Sequence, residues 1–113
     1  MIFISSPYSS KDPAETEMKM KFFLAVDAYF TRLGIHTVSP LYKHILVQAG
    51  HDIPGDWKFW KEYSIELLKK CTTMVIVPYP GWEESTGVQG EIEACKELGI
   101  RYYVFDLNKL SAK

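Results

Sequence analysis

The chain has 113 residues, 47% of them apolar and 24% charged, with 13 Lys and Arg against 14 Asp and Glu for a formal net charge of -1. That composition fits one ordinary globular domain and excludes a disordered or fibrous chain. The charge balance leaves no cationic surplus for a nucleic-acid polymer, and no apolar run nears the roughly 20 residues of a membrane span.

The first segment, Ile2 to Ser5, is short and β-prone and stops at Ser5-Ser6-Pro7. Starting so early, it is expected to be a central strand. The same opening lacks the basic start and long apolar core of a signal peptide, so a cytoplasmic protein is expected. Asp12-Pro13 reads as a helix N-cap followed by proline at the first helical position. Met18, Phe22, Ala25, Val26, Tyr29, Phe30 and Leu33 recur at helical spacing, and Gly34 closes the helix. Residues 35–39 are then a second strand, stopped by Pro40.

Leu41, Ile45 and Leu46 allow a short helix, and residues 50–56 carry the Gly, Pro and Asp of a loop. Asp56 is placed to cap a helix beginning at Trp57, with an apolar stripe of Trp57, Trp60, Leu67, Leu68 and Cys71. Ser64 falls on that stripe. Residues 73–78 form the apolar run of a strand buried on both faces. A turn-rich stretch, 79–86, leads to Ser85 or Thr86 as the cap of a helix over 87–98 that ends at Gly99. Residues 101–106 are the last strand. The alternation predicts one doubly wound α/β domain over 1–113, flavodoxin- or Rossmann-like, with a parallel sheet of four to five strands covered on both faces. Ligands of such sheets bind beyond the C-terminal strand ends. Here those ends carry Ser6-Pro7-Tyr8, Ser39-Pro40 and the 79–86 loop.

The third long helix holds the most informative residue. With Val88 at zero and about 100° per residue, Ile92 falls near 40°, Cys95 near 340° and Glu91 near 300°. Glu93 and Glu97 fall near 140° and 180°, on the solvent side. An inward carboxylate is costly to bury and needs a partner or a task. A local hydrogen bond near the helix start is the structural alternative. Gly87 and Gly90 flank this turn, and glycine inside a helix costs about 1 kcal/mol against alanine, so a ligand or another backbone is expected to come close. Ser85 stands at the dipole-positive end, where phosphate binds readily. Cys71 and Cys95 form no metal-ligand spacing and read as buried, reduced thiols. Neither a metal nor a cofactor is expected.

These residues resemble the nucleoside 2-deoxyribosyltransferase superfamily, which includes the 2′-deoxynucleoside 5′-phosphate N-hydrolases. The resemblance runs from residue 2 to about 105. It rests on the first strand entering a Pro7-Tyr8 turn, the second ending in Ser39-Pro40, Trp57-x-x-Trp60, the Leu67-Leu68-x-x-Cys71 segment, and above all Gly81-Trp82-x-x-Ser85-x-Gly87-Val88-x-x-Glu91. It implies that Glu91 is a nucleophile attacking C1′ of a 2′-deoxynucleoside or its 5′-monophosphate. It also implies Ser85 as a phosphate contact and Tyr8 beside the bound nucleoside. Ser6, Tyr8, Trp57, Trp60, Ser64, Ser85 and Gly87 are thus expected to bind substrate around catalytic Glu91. Two positions depart from the family: Ser64 and Thr72 stand where aspartates are usual, the first of which assists protonation of the leaving base. Substitutes for it are sought among His44, His51, Asp52 and Asp56. The partner implied is a small nucleoside or nucleotide, with assembly as a homodimer or larger, to which an exposed Trp82 and the 41–49 segment are expected to contribute. A non-catalytic nucleotide-binding module on the same scaffold, and an interaction protein without a ligand, remain the alternative readings.

Overall fold

The computed structural model describes residues 1–8 and 10–111. Four strands, β1 (Ile2–Ser5), β2 (Thr37–Val38), β3 (Thr73–Ile76) and β4 (Arg101–Val104), form one all-parallel sheet in the order β2-β1-β3-β4. The helices are α1 (Pro13–Arg32), α2 (His44–Gln48), α3 (Trp57–Leu68), α4 (Thr86–Leu98) and α5 (Asn108–Ser111). Two 3-10 turns, Pro40–Lys43 and Trp82–Glu84, precede α2 and α4. This is the flavodoxin-like, Rossmann-type arrangement, with its switch point between β1 and β3. Among the described residues no helix is long and apolar enough to cross a membrane.

Strand alternation splits the core into two layers. Phe3, Met74 and Ile76 face α3 and α4, packing with Leu68, Cys71, Val88, Ile92 and Cys95. Ile4, Val75 and Val77 face α1, packing with Phe23, Val26, Phe30 and Phe105. Central β1 and β3 are buried on both sides, as their apolar sequences require.

Capping follows the local sequence at most ends. Asp12 accepts from the Ala14 N–H at 3.0 Å, and Ser85 from the Val88 N–H at 3.3 Å. Gly99 closes α4 with φ 72°. Asp56 precedes α3 with extended backbone but caps it through its carbonyl, which accepts from Phe59 and Trp60, and not through its side chain.

The strands are shorter than the apolar runs. Over 35–39 only Thr37 and Val38 pair with β1, because the Ile35 N–H still closes on Phe30 of α1 and Ser39 already caps the next turn. Beyond β3, Val77 bonds to the Ser5 carbonyl at 2.8 Å but has left the ladder. The last strand ends at Val104, and all four of its residues are exposed, so coverage of the sheet stops short of this edge.

The buried face of α1 also differs from the expected stripe. Lys19, Phe23, Val26, Asp27 and Phe30 turn inward, while Met18 and Leu33 are 45% and 60% exposed and Ala25 lies in solvent. The helix is apolar around much of its girth, so periodicity alone fits several faces. Docking on Ile4 and Val75 selects one of them. Asp27 is satisfied there by the hydroxyls of Thr31, Thr37 and Tyr42. Trp82 is half-buried against the α4 layer and is not the exposed residue expected.

Candidate functional site

The site is assembled where the chain leaves β1. Ser5 shares the sheet face of Phe3, two residues earlier, and so points toward α3 and α4. Its Oγ donates to Glu91 Oε1 at 2.6 Å. Ser64, buried on α3, donates to Glu91 Oε2 at 2.9 Å. Each carboxylate oxygen therefore accepts one hydroxyl, a pattern that suits the ionised form. Glu91 is 6% exposed, and burial drives its carboxyl up from 4.5 to about 7, against the two serine hydrogen bonds that pull it down. The group is thus poised near neutrality, and it opens on a cleft of about 350 Å³. That volume lies in the range of small-molecule sites.

All eight residues expected to form the site line this cleft: Ser6, Tyr8, Trp57, Trp60, Ser64, Ser85, Gly87 and Glu91. One wall is aromatic. Tyr8 stacks on His44 with ring centroids 4.2 Å apart and planes 27° from parallel. His44 leans on Trp60 at 5.2 Å, and the Trp60 indole donates to the Pro54 carbonyl at 2.8 Å. Tyr8 is further tied to α2 by Gln48, whose amide donates to its hydroxyl at 3.1 Å.

The opposite wall is the start of α4. Its first N–H groups have no intrahelical acceptor, and Ser85 caps one of them. The two glycines prove different in kind. A Cβ at Gly87 would meet nothing within 4 Å, so nothing packs closely against this position at the cleft. A Cβ at Gly90 would lie 2.3 Å from the Trp57 indole, so Gly90 is what admits that ring.

Lys19 adds a buried cation to the cleft, held by Glu15 at 3.2 Å and lying 5.8 Å from the Tyr79 ring centre. The thiols stay apart from this chemistry. Burial raises Cys71, and burial, then the Glu91 charge, raises Cys95 to about 11. Both are free and buried. Among the described residues no group of three His, Cys, Asp or Glu side chains is placed to hold a metal ion.

A family model matches residues 1–107. The chain belongs to that family, described as Domain of unknown function (DUF1937). The match takes in the whole cleft, from Ser6 to Glu91. No curated protein matches the chain.

Two residues that shape the site of this DUF1937 domain, buried Ser5 behind Glu91 and Lys19 in the cleft, lay outside the expected set. Ser5 was legible only as part of a polar break, because its partner lies 86 residues away. Lys19 carried no apolar signal, although it stands one turn before Phe23 on the inward face. Of the four residues considered as proton donors, His44 lines the cleft; His51, Asp52 and Asp56 are exposed and do not.

Proposed function

We propose that this protein cleaves or transfers the N-glycosidic bond of a 2′-deoxynucleoside or its 5′-monophosphate, with Glu91 attacking C1′. The observation that carries the reading is the Glu91 carboxylate, buried, held by Ser5 and Ser64, and presented to a small cleft with an aromatic wall. Among the described residues its charge has no ion-pair partner. The oxocarbenium-like transition state of glycosyl transfer supplies one as the C1′–N bond breaks, so the carboxylate gains more from the transition state than from the ground state. The two hydroxyls fix the oxygens, so little reorientation is needed at the moment of attack. The resulting glycosyl ester is then opened by water, giving hydrolysis, or by a second base, giving transfer.

Within this reading Tyr8, Trp57 and Trp60 offer flat surfaces to a base, and Ser85 with the N-terminal N–H groups of α4 faces a 5′-phosphate. Ser64 is a positioning residue for Glu91 and not a stand-in acid. The reading also carries a cytoplasmic setting and assembly as a homodimer or larger, with exposed Ile45 and Leu46, 57% and 38% accessible, as interface candidates.

The test is release of free base from a panel of deoxynucleosides and their monophosphates. Wild type is expected to release base from at least one, and Glu91→Gln to release none while keeping its fold. Unchanged release in Glu91→Gln ends the reading. Thermal stabilisation by a monophosphate without base release from wild type replaces it with a non-catalytic binder.

A further inference from the structure

We propose that His44 is the acid that protonates the departing base, an assignment that rests on the N-glycosidic reading above. A base expelled from C1′ carries away the bonding electron pair and leaves far more easily if a ring nitrogen takes a proton as the bond breaks. The titratable side chains lining the cleft are Tyr8, Lys19, His44, Glu84 and Glu91. Glu91 is the nucleophile. Lys19 is ion-paired with Glu15. Glu84 sits exposed on the turn before α4, on the phosphate side of the site.

His44 differs from all of these. It is 9% exposed, stacked on Tyr8 and tilted against Trp60, so these rings fix the orientation of the imidazole, whose edge, where the nitrogens lie, is the part that donates to a base. No further interaction is made by its ring among the described residues. Among them no fully buried side-chain nitrogen or oxygen lacks a partner, so the ring nitrogens of His44, a residue that lines the cleft, are not sealed from solvent.

The proton balance closes over both half-reactions. As Glu91 Oε attacks C1′, the C1′–N bond breaks and its electron pair passes into the base, which takes the proton from the His44 imidazolium. Neutral His44 then accepts a proton from the water that attacks C1′ of the glycosyl ester. The C1′–O bond to Glu91 breaks, its electrons return to the carboxylate, and both groups are back in their starting states.

The cleft that His44 lines is shared by Tyr8 from the turn after β1, Lys19 from α1, Glu84 from the turn before α4 and Glu91 from α4, with the uncharged Trp57, Trp60 and Ser64 from α3. Burial lowers His44 below 6.5, and Glu91 is raised to about 7. The competent pair, Glu91 ionised with His44 protonated, is therefore most populated on the slightly acid side of neutrality and fades as pH rises.

The experiment compares kcat/KM for 2′-deoxyguanosine 5′-monophosphate and its 7-methyl derivative, whose cationic base leaves without protonation. His44→Asn is expected to lose about 10²–10⁴-fold on the unmodified nucleotide, the usual worth of a general acid, and less than about 10-fold on the methylated one. Its pH profile loses the alkaline fall of wild type and becomes flat above the Glu91 titration. Equal losses on both substrates, or an unchanged rate on the unmodified one, in a variant with wild-type circular dichroism overturn the assignment; His44→Gln takes over if His44→Asn fails to fold. Wild type that releases base from neither nucleotide nor from any other member of the deoxynucleoside and monophosphate panel overturns the N-glycosidic reading itself, and the His44 assignment with it.

Discussion

Glu91→Gln removes a charge and keeps the shape, so its effect on stability isolates what the buried carboxylate costs. In the unfolded chain this carboxyl titrates at 4.5, and in the fold at about 7. Between those values the native state holds a proton that the unfolded chain has lost, so stability falls as pH rises through the window and levels off above it. At about 1.36 kcal/mol per pKa unit the full fall is roughly 3 kcal/mol. The amide imposes little offsetting loss. Its oxygen accepts from one serine, and its NH₂ donates to the other, whose hydroxyl rotates to receive it. The variant is therefore expected to match wild type at pH 4 and to exceed it by about 3 kcal/mol at pH 8. In urea that is a midpoint shift of roughly 1–3 M at the m-values of small domains. Equilibrium denaturation across pH 4–8 measures it. A variant destabilised at pH 8, or a gain that does not grow with pH, would refute the claim that the charge is held at a cost.

Two further substitutions test the parts around the carboxylate. Ser64→Ala removes one of its two donors, so Glu91 is expected to titrate at still higher pH and the fold to lose about 1–3 kcal/mol at pH 8; an unmoved midpoint in the activity or stability profile counts against the hydrogen bond holding the charge. Gly90→Ala trades about 1 kcal/mol of helix propensity against overpacking of about 1–3 kcal/mol, because its methyl lands 2.3 Å from the Trp57 ring. It is expected to be neutral to about 2 kcal/mol less stable with altered tryptophan fluorescence, and a more stable variant with unchanged fluorescence contradicts the packing role.

The order of strands and helices was legible in the sequence, because caps, breakers and period are local properties written within a few residues of where they act. Asp12-Pro13, Ser85 and Gly99 mark real helix ends, and the apolar runs at 2–5 and 73–78 contain the two central strands. The inward direction of Glu91 was legible for the same reason, since it depends only on the angle to Val88 and Ile92 along one helix axis. What that carboxylate meets was not. Ser5 and Ser64 reach it from β1 and α3, and their meeting depends on how β1, α3 and α4 pack. The same holds for Gly90 against Trp57, for His44 between Tyr8 and Trp60, and for the face of α1 that docks on the sheet. Local sequence sets which way a side chain leaves its own element. Only packing between elements distant in the chain decides what it touches, and in this protein those contacts set the protonation of Glu91 and bring His44 to its cleft.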